Sequence, residues 1–257
     1  MRSGQRPKQA PWLRAFPIMR AMQSINGFLY DDEADLLLAA TARVLAMPGP
    51  PRSVVEIGSY CGKSTVVFGM TARVLHPDAK VYAIDPHQGE LSVGDEIVPG
   101  EPTFKQFQRN MAAAGLEQVV VPIKQRSTDV RWNLPIGLLF VDGLHDYPSV
   151  SRDFAHFAPW VVPGGLVAFH DYGKRDFPGV TTFVDEAVVR RDYLLVQRAS
   201  GLVVLEKQDT RRRVLGVPLS RSPGVASRLF SLRRSRATIE SCVSTSVFTP
   251  PPGKPLG

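Results

Sequence analysis

Apolar residues along the chain follow two periods that alternate. "DDEADLLLAATARVLA" (31–46) opens on acids and then spaces its apolar residues at three and four, the pattern of a helix. "SVVEIG" (53–58) is a short β-branched run and predicts a strand. The pattern then continues as helix 62–75, strand 80–85, helix 103–115 with a glycine stop, strand 118–124, strand 136–143, helix 149–161, strand 165–172 and helix 179–191. Residues 193–207, "YLLVQRASGLVVLEK", read as two apolar strands about Ser200-Gly201, a hairpin. Strands that alternate with helices predict a parallel sheet with helices on both faces. The closing hairpin adds antiparallel pairing. The expected fold class is therefore α/β: a Rossmann-like, mostly parallel sheet of seven strands.

Charge divides the chain into three. The 257 residues carry a formal +7, but residues 1–20 hold five Lys/Arg and no acid, and residues 211–257 hold nine Lys/Arg against Glu240. Residues 21–210 are thus about −6. The reading is a basic N-terminal arm (1–24), one domain (25–207) and a basic, Ser/Pro-rich tail (208–257) expected to be disordered. The ends could attract a weak anionic partner, nucleic acid or a membrane surface, but charge alone is an unspecific signal. No apolar run reaches the ~18 residues of a membrane span, and the first residues lack the apolar stretch of a signal peptide. Two distant cysteines, Cys61 and Cys242, give no disulfide framework and suit a cytoplasmic, reducing setting. Self-association into a homo-oligomer is left open.

In such sheets ligands bind beyond the carboxyl ends of the strands, where strand order reverses. The residues placed there are Glu56-Ile57-Gly58, Asp85, Ser127, Asp142-Gly143-Leu144-His145 and His170-Asp171. Four of these five groups hold a carboxylate, which is costly to bury unless paired or coordinating. One strand-end Asp is usually a helix cap; four groups together point to a site. Gly62-Lys63-Ser64 suggests a phosphate loop, but Ile57 stands where that motif needs its first glycine. The dinucleotide spacing Gly-x-Gly-x-x-Gly also fails, because Gly58 and Gly62 are separated by three residues.

What remains is Glu-x-Gly-x-x-x-Gly after the first strand and an acid, Asp85, ending the second. This resembles the nucleoside-binding loop of class I S-adenosylmethionine (SAM) methyltransferases. "VVEIGSYCGKSTV" is similar to the loop of the catechol-type O-methyltransferases. "FVDGLHDYPSVSRDF" followed by "VVPGGLVAFHDY" resembles the metal-dependent O-methyltransferases of sugars and other natural products. The resemblance covers roughly residues 25–207. It implies SAM as cofactor, held by Glu56, Gly58, Ser59, Gly62, Ser64, Asp85 on the ribose hydroxyls, Ser127 beside the adenine, and Asp142. It implies a divalent metal, Mg²⁺ or Mn²⁺, on Asp142, His170 and Asp171, with His145 as catalytic base. The departure is His170, where such enzymes usually carry a carboxylate. Imidazole suits Mn²⁺, Fe²⁺ or Zn²⁺ better than Mg²⁺, and whether His170 ligates the ion or stands behind the ligands is left open.

The implied activity is methyl transfer from SAM to a hydroxyl of a sugar or other small natural product, with a small-molecule or glycan acceptor. Two alternatives stand beside it: a metal-independent methyltransferase for another acceptor, and a non-enzymatic SAM-fold module whose basic ends bind nucleic acid or membrane. Residues 21–33 are expected to fold over the cofactor, and the long polar stretch 90–104 to act as a substrate loop. His87 could line the pocket or end a turn. Trp160 is expected in the core.

Overall fold

A computed structural model describes residues 12–49, 53–93, 96–189 and 192–209. The remaining N-terminal residues of the arm, and the tail beyond 209, lie outside the described residues, and the expectation of a disordered tail with them.

Five strands run parallel: β1 (Ser53–Ile57), β2 (Val81–Ile84), β5 (Val120–Ile123), β6 (Ile136–Val141) and β7 (Val161–Phe169). β8 (Tyr193–Ala199) and β9 (Leu202–Lys207) form the closing hairpin, and β9 lies antiparallel to β7. The order is β5-β2-β1-β6-β7-β9-β8, so seven strands form the expected mixed sheet. β3 (Leu91–Val93) and β4 (Glu96–Val98) pair separately and antiparallel, inside the stretch read as a substrate loop.

Every residue of β1 and β6 is buried, which explains the unbroken apolar run of β6 and leaves Glu56 as the one charged residue inside β1. Their side chains alternate between two cores. Val54, Leu138 and Phe140 face α2 (Asp31–Leu45) and α3 (Lys63–Leu75); Val55, Leu139 and Val141 face α5 (Tyr147–Phe157) and α6 (Pro178–Val189). α4 (Phe104–Ala113) adds Phe107 and Met111 to the first core.

Three details depart from the pattern. Residues 15–23, read as part of the arm, form α1 (Ala15–Gln23), which buries Ile18 and Met22 in the first core. The folded region therefore begins before residue 25. β7 starts at Val161, through Pro163-Gly164-Gly165, a sequence that hides a strand start. Trp160 is not in the core; it is 38 % exposed on the turn before β7.

Strand order reverses between β1 and β6: the chain builds β1, β2 and β5 to one side, then crosses to place β6 and β7 on the other. The loops leaving β1 and β6 therefore face each other across a crevice.

Candidate active site

A cavity of about 580 Å³ occupies that crevice. It runs from Asp85 and Ser127, past Gly58 and Ser59, to Asp142, His145, His170 and Asp171. Gly27, Phe28, Leu29 and Tyr30 also line it, so the segment before α2 does lie over the crevice. Of the residues singled out in the sequence, Gly58, Ser59, Ser64, Asp85, Ser127, Asp142, His145, His170 and Asp171 line this one cavity. Glu56 and Gly62 are not among its lining residues.

Glu56 has another place. It is fully buried, and its two carboxyl oxygens accept the hydroxyls of Ser64 and Thr65 at the start of α3. Burial pushes its pKa up to about 8, against the pull of those two hydrogen bonds. Glu56 therefore pins the loop to α3 and does not present a charge to a ligand. Gly62 takes φ +89° as the residue before α3, and a Cβ there would approach Met111 Cε to 2.5 Å. Lys63 resolves the apparent phosphate motif: its Nζ donates to the Gly27 carbonyl at 3.2 Å and ties the overlying segment to α3.

The nucleoside end is built around Asp85. Its carboxylate accepts the backbone N–H of Tyr60 at 2.8 Å and of His87 at 2.6 Å. These bonds use one lone pair on each oxygen and leave one on each for further donors, as two vicinal hydroxyls would require. Tyr60 and His87 both adopt left-handed backbone, φ 45° and 54°, strain that accompanies ligand sites. The His87 ring turns away from the cavity. It is buried against Phe104 and Phe107 and pairs through Nδ1 with Thr103 Oγ1 at 2.9 Å. Ser127 donates to Asp153 on α5, whose carboxyl is raised by burial. Ser59 Oγ is buried in the cavity wall without a hydrogen-bond partner among the described residues.

At the other end four groups converge from the ends of β6 and β7. His170 Nδ1 lies 3.2 Å from both Asp142 Oδ1 and Asp171 Oδ2. His145 Nε2 lies 3.1 Å from Asp171 Oδ2 and 3.5 Å from Asp142 Oδ1. Asp171 reaches inward because its backbone is left-handed, φ 60°. Behind the ring, Glu33 Oε2 meets His170 Nε2 at 3.0 Å. Phe177 packs against the His145 ring at 4.4 Å between centroids, the two rings tilted by 45°.

The electrostatics follow from three carboxylates around one buried imidazole. Burial alone would lower the His170 pKa, but the facing Asp142 charge, with Asp171 and Glu33, raises it well above its ordinary value. Burial alone would raise Asp142, but the positive charge held on His170 outweighs it, and Asp142 is pulled down to about 2. The spot therefore favours a cation, either a proton or a metal ion.

Asp142, His170 and Asp171 each offer one ligand atom, and these atoms lie within 4.8 Å of one another. Among the described residues, His170 Nδ1 and both His145 nitrogens are buried without an aligned hydrogen bond, although carboxylate oxygens stand close to His170 Nδ1 and His145 Nε2. Ligand atoms that crowd together without bonding each other fit a divalent ion among them. Sequence reasoning missed Glu33, which reads as an ordinary acid in a helix first turn; Asp153 reads from the sequence as a brace for the His145 segment, whereas the fold pairs it with Ser127, 26 residues earlier, on the cavity wall.

Residues 55–172 match the protein family described as methyltransferase domain. Among curated proteins, an uncharacterized protein y4gI of Sinorhizobium fredii is 27% identical over 157 residues, 60% of this chain and 17% of its own length. The tRNA N(3)-methylcytidine methyltransferase Mettl2 of Drosophila melanogaster is 28% identical over 141 residues, 54% of this chain and 39% of its own. The chain thus spans less than half the length of these relatives. Among solved structures, the O-methyltransferase NovP superposes with a TM-score of 0.57 at 21% identity, covering 69% of this chain and 80% of NovP. TomG of Streptomyces achromogenes, an O-methyltransferase of tomaymycin synthesis solved with SAM, gives 0.53 at 17% identity over 79% of this chain and 92% of TomG. The calicheamicin methyltransferase CalS11 gives 0.54 at 16% identity over 80% and 99%. These likenesses confirm the Rossmann-like methyltransferase fold. No helix among the described residues is long and apolar enough to cross a membrane.

Proposed function

We propose that this chain, which carries a class I SAM-dependent methyltransferase domain, transfers the SAM methyl group to a hydroxyl of a sugar or other small natural product, in the cytoplasm, with a divalent metal ion beside the acceptor. The observation that carries this reading is the single cavity that joins Asp85 and Ser127 at one end to Asp142, His145, His170 and Asp171 at the other. CalS11, described as a TDP-rhamnose 3′-O-methyltransferase, and NovP and TomG, described as O-methyltransferases, support the acceptor class.

Asp85 accepts the ribose hydroxyls, Ser127 and Asp153 border the adenine, and the Gly58–Ser59 backbone lies against the amino-acid moiety. Gly58 and Ser59, Asp85 and Ser127 hold SAM so that its sulfonium methyl faces the four-group cluster. Asp142, His170 and Asp171 would hold the ion, which when bound supplies Lewis-acid polarisation of the acceptor hydroxyl. That polarisation matters because an aliphatic hydroxyl is far too weak an acid for a neutral imidazole to deprotonate unaided. His145, on the cavity wall and beside Phe177, takes the hydroxyl proton on its imidazole as the oxygen attacks the methyl carbon in line and the sulfur leaves with its electron pair. Phe28 and Tyr30, 70% and 59% exposed where they line the cavity, offer apolar faces for an acceptor ring.

The test is incubation with SAM carrying an isotope-labelled methyl group and a panel of nucleotide sugars, glycosides, phenols and tRNA. Mass spectrometry then locates the label. Label on oxygen of a sugar or small natural product is expected; label confined to a nitrogen, or to tRNA, would overturn the assignment.

A further inference from the structure

Glu33 is fully buried in the first turn of α2, yet it serves groups from three parts of the chain. Its Oε2 accepts the Tyr30 backbone N–H at 2.9 Å and meets His170 Nε2 at 3.0 Å, and its Oε1 accepts the Gly201 N–H at 2.9 Å. A helix first turn with an acidic residue needs only the Tyr30 bond to be explained. The contact with His170 is of a different kind, because it joins α2 to the cluster 137 residues away.

A carboxylate can only accept hydrogen bonds, so facing Nε2 it keeps a proton on that atom. In a neutral imidazole the lone pair then belongs to Nδ1. Nδ1 is the atom that stands 3.2 Å from Asp142 Oδ1 and 3.2 Å from Asp171 Oδ2, buried and without an aligned hydrogen bond. Carboxylate, imidazole N–H and opposite ring nitrogen thus stand in the relation by which outer carboxylates orient metal-binding histidines.

We propose that Glu33 is a positioning residue that fixes the tautomer and ring angle of His170, so that Nδ1 joins Asp142 and Asp171 in a one-nitrogen, two-carboxylate site selective for Mn²⁺, Fe²⁺, Co²⁺ or Zn²⁺ over Mg²⁺. The inference rests on the metal reading of the same cluster. Magnesium prefers all-oxygen sites and keeps its waters, whereas an imidazole nitrogen suits the later divalent ions. A structural Glu33 that only braced α2 would leave the metal's ligand set unchanged.

The experiment uses the full chain, freed of metal by chelation and titrated with Mn²⁺, the free ion being followed by its electron paramagnetic resonance signal. Pulsed measurements on the bound ion then look for coupling to an imidazole ¹⁴N. We expect one Mn²⁺ per chain, a clear ¹⁴N coupling, and displacement by Mg²⁺ only at more than tenfold excess. Glu33→Gln should weaken Mn²⁺ about 10–100-fold, with SAM affinity retained as the sign of a folded protein. A folded Glu33→Gln variant with unchanged Mn²⁺ affinity and ¹⁴N coupling would defeat the role of Glu33 and leave the metal site standing. Bound Mn²⁺ without ¹⁴N coupling in the wild type would defeat the nitrogen site even if the variant does not fold. A wild type that takes up neither Mn²⁺ nor Mg²⁺ would remove the metal reading itself and this inference with it.

Discussion

A Cβ placed on Gly58 would lie 1.9 Å from the carbonyl oxygen of Asp142. The loop that leaves β1 and the loop that leaves β6 are therefore in backbone contact, and the two ends of the site are set against each other through it. Gly58 also takes φ +87°, a conformation other residues rarely adopt. Gly58→Ala combines backbone strain with overpacking against atoms that cannot swing aside. We expect a loss of roughly 2–4 kcal/mol in stability and no measurable SAM binding, as read by thermal melting and calorimetry. A stable variant with wild-type SAM affinity would show that the contact does not shape the site.

Asp85 holds two backbone N–H groups of the loops that frame the nucleoside end. Asp85→Ala should weaken SAM binding by about 1.5–3 kcal/mol, the range for a hydrogen bond to a charged group. Unchanged affinity by calorimetry would move the ribose elsewhere.

Glu56 gives a pH dependence whose direction follows from its raised pKa. The unfolded chain releases this proton near pH 4.5, whereas the folded protein keeps it until about pH 8. Between those values the folded state binds the extra proton, so the contribution is full below pH 4.5 and is lost as pH rises through 8. Melting temperature should therefore fall across that window by more in the wild type than in Glu56→Gln, which keeps the shape without the titration. Parallel pH profiles for the two proteins would mean that Glu56 is not held neutral.

His145 is proposed to receive the acceptor proton. His145→Ala should lower kcat by about 10²–10⁴-fold while leaving SAM affinity unchanged, because the ring stands with Asp142 and Asp171, away from Asp85 and Ser127. A near-normal kcat at saturating acceptor would transfer the role to another group.

The sheet and most strand-end residues were legible because β2, β6 and β7 each run from apolar residues straight into a polar one, Asp85, Asp142 and His170. β6 is the clearest case: six buried residues lead directly to Asp142. α1 was hidden by Pro17 and by the basic residues of the segment around it, although Ile18 and Met22 carry its core face. β3 and β4, three residues each, are too short to show a period. Glu56 sits in the expected motif, but only the fold shows Ser64 and Thr65 occupying its carboxyl. Glu33 could not be read at all, since nothing near it in sequence marks His170 as its partner. Pairings of that kind are set by sheet order, and no local pattern encodes them.

The central claim is one cavity with two separable halves, a SAM half and a cation half beside the acceptor. It is tested most directly by exhaustive chelation of the wild-type protein, with SAM affinity and methyl transfer to the hydroxyl acceptor panel measured on the same sample. We expect SAM affinity to be retained, transfer to be lost, and added Mn²⁺ to restore it. Undiminished transfer after complete metal removal would contradict the claim and leave Asp142, His170 and Asp171 as a structural cluster.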